Sequence, residues 1–303
     1  MSLSFCGRLV VVTGASSGLG RAIAIELAVR EDADVVAVAR RADRLTALCR
    51  EIEATSQSRA WPCPVDLAAD EGVAALRERV AEIVRARDAE RTTDDPRNRG
   101  VFAIVNNAGV TWYGLASGMR PDDVRRVVAL NLRAPIDLTI AYARDFAARE
   151  SADACDTHAS REPLGACAPL GAILNVTSIG AFVPVPYQSV YAATKHGLHA
   201  FTESIASERW AERIVFTAAA PGGIATEMAE LAGLEARFDL DSSVFAPADR
   251  VASQIVRAWK QRRRSYTPGL SNRLLVAGSR LLPRRLVARL AARTYEPPEH
   301  GAT

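Results

Sequence analysis

No stretch of this 303-residue chain approaches the roughly 18 uninterrupted apolar residues that a membrane-spanning helix needs, so none is expected. Met1 to Arg8 is too short and too polar for a secretory leader ahead of the first apolar run. The five cysteines (Cys6, Cys49, Cys63, Cys155 and Cys167) hold no C-x-x-C pair, and their number is odd. A disulfide framework is not expected in a chain able to bury a full core, and a reducing, cytoplasmic setting is. Internal repeats are also missing. The most telling absence is local. From Arg257 to Tyr295 there is no Asp or Glu, while eleven Lys or Arg stand there. The overall balance of +3 hides this: outside that segment 27 basic residues face 35 acidic ones, a net of −8. With 49% apolar and 24% charged residues the composition is that of a globular protein, and wholesale disorder is excluded.

What is present is an alternation of short apolar runs with helical spacings. Leu9 to Val12 reads as a buried strand ending at Thr13-Gly14, followed by a helix over Gly18 to Arg30. Further strands are expected at Val35 to Val38, Ala60 to Val65, Val101 to Val105, Ala172 to Val176 and Ile214 to Ala218. Helices are expected over Asp43 to Ala54, Glu71 to Arg87 and Val190 to Ala211, and one or more helices over Pro121 to Ala148. Such alternation predicts an α/β fold, a doubly wound parallel sheet covered by helices on both faces. Two polar segments, near 88–100 and 151–171, interrupt the rhythm without ending it and read as surface insertions.

The turn after the first strand is Thr13-Gly14-Ala15-Ser16-Ser17-Gly18-Leu19-Gly20. Gly14 permits a tight turn, Gly18 lets backbone approach a pyrophosphate, and Gly20 lets the helix pack near the strand. The helix N-terminus offers N–H groups and partial positive charge to phosphate. The second strand ends at Ala39-Arg40-Arg41, where an acid would bond the ribose hydroxyls of NAD(H). Ala39 cannot, and Arg40 and Arg41 can pair with a 2′-phosphate, which favours NADP(H). Tyr191 and Lys195, four apart, share a helix face. An ammonium beside a phenol lowers the tyrosine pKa and suits it to acid/base work. Ser178 follows the fifth strand, at the sheet end where ligands bind, and its hydroxyl can polarise a substrate oxygen.

Together these residues resemble the short-chain dehydrogenase/reductase family, over Leu9 to about Pro268. The matching motifs are Thr13-Gly14-x-x-x-Gly18-x-Gly20, Asn106-Asn107-Ala108-Gly109, Asn131, Ser178, Tyr191-x-x-x-Lys195 and Pro221-Gly222-x-Ile224-x-Thr226. The resemblance implies a Rossmann-like fold and hydride transfer between a ketone and a secondary alcohol. In that reading Tyr191 exchanges a proton with the reacting oxygen, Ser178 holds it, Lys195 lowers the tyrosine pKa and binds the nicotinamide ribose, and Asn131 orders a water. Asp66, beside Leu67, matches the residue that bonds the adenine amine. Asn107, Ala108 and Gly109 line the cofactor. Pro221, Gly222, Ile224 and Thr226 contact the nicotinamide. The spacings from Asp66 to Asn106 and from Asn131 to Ser178 are longer than the family's, which puts its usual subunit packing in doubt. A homodimer or homotetramer is the family's expectation.

The family's substrate loops hold Thr111, Trp112 and Tyr113, then Phe182 to Tyr187, then Met228, Leu231, Leu234, Phe238 and Phe245. They are largely apolar and predict a hydrophobic ketone or alcohol. A reductase of 3-oxoacyl-carrier protein, a dinucleotide-sensing protein without turnover and a membrane-docked scaffold are the alternatives. His196 and His199 read as surface or packing residues. Cys155, Asp156, His158 and Cys167 match no structural zinc spacing, and no metal is expected. The domain is assigned to residues 1–268 and the basic extension to 269–303. There, leucines interleave with arginines at helical spacing, and Pro283 divides the segment. That pattern fits a membrane surface, a partner, or a helix folded on its own domain or a sister subunit. Nucleic acid is not expected, since no base-reading pattern accompanies the charge.

Overall fold

A computed structural model describes residues 2–90, 99–154, 168–224, 227–228, 238 and 245–297. Its sheet is built from β1 (Leu9–Thr13), β2 (Asp34–Ala39), β3 (Ala60–Pro64), β4 (Val101–Asn106), β5 (Gly171–Val176), β6 (Ile214–Ala219) and β7 (Ser265–Tyr266). All pairings are parallel, in the order β3-β2-β1-β4-β5-β6-β7. Every residue of β1, β4 and β5 is buried, as continuous apolar runs require of strands covered on both faces.

The covering helices are α1 (Gly18–Glu31), α2 (Ala42–Thr55), α3 (Gly72–Glu90), α4 (Pro121–Val128), α5 (Ala134–Ala154), α6 (Ser189–Ile205) and α7 (Ala248–Lys260). Alternation along β1 sends Val10 and Val12 into one core with Ile23, Leu27 and Trp259. Leu9 and Val11 enter the opposite core with Leu76, Tyr142 and Phe146. The fold is thus the expected three-layer, doubly wound α/β domain.

The run from Pro121 is two helices, within the expectation of one or more, joined by a π-turn at Ala129–Arg133, where the Ala134 N–H donates to the Ala129 carbonyl. Other elements differ from the sequence reading. The helix read to Ala211 stops at Ile205. Beyond it, the Ser207 N–H bonds back three residues to Ser204 and its hydroxyl to the Glu203 carbonyl, which ends regular winding. Asp88 to Glu90, read as insertion, continue α3, because Arg87 is buried against Asp34 at 2.8 Å and the Gly7 carbonyl at 2.8 Å. The remainder of the first insertion through residue 98, and residues 155–167 of the second, lie outside the described residues. α7 and β7 have no counterpart among the elements expected from sequence. The latter is two residues long and too short for any period.

After β7 the chain forms α8 (Leu270–Leu281) and α9 (Arg284–Tyr295), separated at Pro283 as its locked backbone predicts. Both helices return to the carboxyl end of the sheet and line the same cavity as the loops after β1, β4 and β5.

Candidate active site

β1 is flanked by β2 on one side and β4 on the other, so the connections diverge at its carboxyl end and leave a crevice there. A cavity of about 910 Å³ occupies it. The glycine turn forms one wall. Gly14 and Gly18 sit at φ 68° and 54°, a region that favours glycine. A Cβ on Gly14 would meet the Asn107 amide at 2.7 Å, and one on Gly20 would overlap the Gly14 carbonyl. The α1 N-terminus has no side-chain cap from Ser17 and no acidic residue in its first turn, so its positive end is not neutralised from within the helix. A backbone cradle with no room for side chains, below an uncapped helix end, fits the pyrophosphate of a dinucleotide.

Thr13, which opens the glycine motif but takes no role of its own from sequence, ties this wall to the next. Its hydroxyl donates to the Val105 carbonyl at 3.0 Å and accepts from the N–H groups of Asn107 at 3.0 Å and Ala108 at 3.1 Å. The Asn107 side-chain amide donates to the Thr13 carbonyl at 3.0 Å. Below it, Asn106 donates to Asn175 at 2.8 Å, and Asn175 to Thr202 at 2.8 Å, a buried polar chain from β4 through β5 to α6. Leu67 is buried in the core behind Asp66, whose carboxylate accepts from the Ala68 N–H at 3.0 Å and faces Arg126 at 3.5 Å.

Arg41 is already engaged. One nitrogen donates to Glu227 at 2.7 Å, and the other to Ser16 and Ser17 at 3.0 Å and to Glu227 at 2.9 Å. Arg44 donates to the same carboxylate at 2.8 Å. The Arg41 bond, with help from Ser17 and Arg44, holds Glu227 down at about 2. Arg40 lies exposed on the cavity rim.

The fifth strand and α6 deliver the reacting groups. Ser178 follows β5, and its hydroxyl accepts from the Gly180 N–H at 3.1 Å. One helical turn brings Tyr191 and Lys195 to the same side, with the ammonium 5.7 Å from the phenol ring centre. Lys195 donates to the Val176 carbonyl at 2.9 Å. Burial lowers Lys195 to about 8. Burial also raises Tyr191 to about 12, against hydrogen bonding with Ser178 that pulls it down. The expected lowering of the phenol by Lys195 is therefore not what the chain alone produces. Desolvation wins, and the ammonium is spent on a backbone carbonyl. Asn131, in the π-turn, accepts from the Val110 N–H at 2.9 Å and donates to the Val110 carbonyl at 2.7 Å, fixing the loop after β4. Gly109 lies between Asn131 and Lys195, where a Cβ would stand 3.2 Å from the Asn131 oxygen.

The rest of the cavity is mostly apolar. Val183 and Val185 are buried, Met228 and Phe245 line it, and Gln188 donates to Thr111 at 3.0 Å. The Pro221 carbonyl accepts from the Ile179 N–H at 2.9 Å, and Ile224 bridges to Ala246. Gly222 packs against the Asn272 amide of α8. The Tyr113 hydroxyl donates to the Tyr295 carbonyl at 2.9 Å, and the Tyr295 ring meets Phe238 at 5.2 Å. Tyr295 is close enough for its charge to oppose that of Tyr191. Glu227, Asn272 and Tyr295 are site residues that the sequence reading missed.

His199 is buried, with its ring 3.4 Å from the Thr177 hydroxyl and edge-on to Phe182. Thr226, Leu231, Leu234, Cys155, Asp156, His158 and Cys167 lie outside the described residues. Among the described residues no group of side chains could hold a metal ion, and no helix is long and apolar enough to cross a membrane.

A family model described as short chain dehydrogenase matches residues 8–157 and 163–235. The 3-oxoacyl-(acyl-carrier-protein) reductase FabG of Pseudomonas aeruginosa is 30% identical over 226 residues, 75% of this chain and 77% of that one. A metagenomic short-chain oxidoreductase, solved in complex with NADP, is 27% identical with a TM-score of 0.63, covering 88% of this chain and all of that one. A short-chain dehydrogenase from Sphingobium yanoikuyae, in complex with NADPH, shares the fold with a TM-score of 0.69 at 23% identity, over 98% of each chain.

Proposed function

This chain belongs to the short-chain dehydrogenase/reductase family of oxidoreductases, and on that premise we propose that it reduces a hydrophobic ketone to a secondary alcohol, reversibly, with NADP(H). The observation that carries this reading is the meeting, in one cavity, of the glycine cradle with Ser178, Tyr191 and Lys195. Gly14, Gly18, Leu19 and Gly20 would hold the pyrophosphate, Arg40 and Arg41 with Ser16 and Ser17 the 2′-phosphate, and Asp66 with Leu67 the adenine. Asn107, Ala108, Gly109, Pro221, Gly222, Ile224 and Thr226 would line the nicotinamide half. When bound, the nicotinamide supplies or accepts a hydride.

The chain's own groups manage the oxygen. A phenol raised to about 12 stays protonated at working pH, so Tyr191 is a proton donor ready for a developing alkoxide. The Ser178 hydroxyl is positioned by the Gly180 N–H and can donate to the same oxygen. Lys195 supplies positive charge beneath the phenol, and Asn131 locks the loop above it. The apolar loops accept an apolar ketone and exclude water. The same reading makes the chain a homodimer or homotetramer. It also sets the chain in the cytoplasm, where Cys49 and Cys63 remain thiols, with peripheral membrane contact through the tail.

Tyr191→Phe should cut turnover of apolar ketones by about 10²–10⁴ and leave NADPH binding within about twofold. Near wild-type turnover in this variant would overturn the assignment. NADPH should bind more tightly than NADH, and equal affinity would remove the role of Arg40 and Arg41. The similarity to a 3-oxoacyl-(acyl-carrier-protein) reductase supports a second reading, with exposed arginines receiving an acidic carrier. Comparing 3-oxoacyl substrates with and without the carrier separates the two.

A further inference from the structure

α9 buries none of its residues, although Leu286, Val287, Leu290 and three alanines make half of it apolar. α8 buries only Val276. By contrast α2, of similar length, buries Leu45, Leu48, Cys49 and Ile52. Helices this short draw their stability from a packed apolar face. Val287 and Tyr295 of α9 pack beside Val183, Val185 and Ala192, but that contact leaves most of the apolar face of α8 and α9 uncovered by their own domain. Their leucines point outward instead: Leu281 is 86% exposed, Leu270 71% and Leu274 64%. Between Leu270 and Tyr295 stand six arginines and no acidic residue, and Arg284, Arg285 and Arg289 are exposed.

The charge decides what covers this surface. A two-fold contact with a second copy would press the same arginines against each other. An acidic protein would satisfy the arginines but would cover leucines spread along two helices only if it also carried a matching apolar groove. An anionic lipid surface satisfies both, with guanidinium groups at the phosphates and leucines below them. A second feature joins this surface to the chemistry. Leu274, Leu275, Leu282 and Leu290 are exposed and also line the cavity that holds Tyr191, so the cavity opens through the outward face of the two helices.

We infer that α8 and α9 dock on an anionic membrane and that the ketone passes from the bilayer to Tyr191 through the gap they border. The docking stands on the two helices alone. The passage of a ketone rests on the reading given under Proposed function.

The test uses the full-length protein and sedimentation with vesicles of phosphatidylcholine alone or with phosphatidylglycerol added. Binding should favour the anionic vesicles by about tenfold and weaken as salt is raised. Leu270→Asp with Leu281→Asp should abolish it. Neither residue lines the cavity, so turnover of a water-soluble ketone should persist in this variant, which also reports its folding. Arg284→Glu with Arg285→Glu should lose the preference for anionic lipid independently. With an apolar ketone dissolved in the anionic vesicles, the wild type should outpace the leucine variant by about tenfold. Equal binding to both vesicles, or variants that still bind, would overturn the docking. So would a dimer that the leucine substitutions dissociate, which would assign the face to a second copy. Equal rates on the vesicle-borne ketone would overturn the passage. A protein that binds vesicles but reduces no ketone would sink the proposed reaction and leave the docking intact.

Discussion

Lys195 carries a conflict that a helix-face argument cannot reveal. The four-residue spacing correctly places it beside Tyr191, but the direction of each pKa depends on burial, which only the assembled fold sets. Lys195 falls from 10.5 to about 8 because its charge is desolvated. In the unfolded chain it holds its proton up to its ordinary value, so between about pH 8 and 10.5 the unfolded state binds more protons. This group's contribution to stability therefore rises with pH through that window. Activity should run the other way. Tyr191 remains protonated, so the alkaline fall in ketone reduction should follow Lys195 and begin near pH 8. In Lys195→Arg that limb should vanish from the kcat/KM profile, because a guanidinium does not titrate there. Lys195→Met should remove turnover and raise Tm at pH 7 by about 3 °C, since a buried charge is lost with only one hydrogen bond. A lower Tm would show that the bond to Val176 outweighs the desolvation. Arg41 poses a related contest. Glu227, held at about 2, is charged at every working pH and occupies both outer nitrogens of Arg41. Glu227→Gln should tighten NADPH about threefold to tenfold and leave NADH unchanged, read by fluorescence titration. No spacing announces this pair, which lies 186 residues apart.

At the scale of elements, the parts legible in the sequence are those whose cause is local. The glycine turn is one: strand, turn and helix are contiguous, and each glycine has a reason within a few residues. Gly20 shows how tightly the turn is built, since a Cβ there would overlap the Gly14 carbonyl and the Asn107 amide. Gly20→Ala should push α1 away from β1, lower Tm by several degrees and raise the KM for NADPH by about tenfold or more, a combination that thermal melts and initial rates would detect. A purely local helix effect would instead raise stability, because alanine is the better helix former. The π-turn at Asn131 was not legible. Apart from Asn131, the residues from Ala129 to Arg133 are good helix formers, and the extra residue per turn is selected by what Asn131 reaches, the two backbone groups of Val110. The early end of α6 and the two-residue β7 likewise depend on neighbours rather than on period.

For the whole molecule, the charge division seen in the sequence becomes a division of labour in space. The acidic body carries the glycine turn at one end of the cavity, and the basic tail borders the opening at the other. Sequence alone left the tail free to bind a membrane, a partner or its own subunit, because its contacts span the chain: Tyr113 to Tyr295 is 182 residues, and Asn272 meets Gly222 from a separate helix. This arrangement predicts a separable defect. Ending the chain at residue 282 removes α9, with Tyr295 and the Val287 and Leu290 wall, but leaves Gly14, Gly18, Arg41 and Asp66 in place. Because α9 buries no residue fully, its contacts being half-buried Val287 and Tyr295 and the bond from Tyr113, the truncated body should still fold, with its Tm lowered by a few degrees. NADPH affinity should stay within about twofold, while kcat/KM for a bulky apolar ketone falls about tenfold or more through loss of the apolar wall. A small ketone, which needs less of that wall, should be affected less. If bulky and small ketones lost rate equally, Tyr295 would be acting on the chemistry at Tyr191 rather than on substrate fit, and Tyr295→Phe in the full chain should then reproduce the loss. If neither lost rate, the tail would stand outside catalysis altogether, and its place over the cavity would serve docking alone.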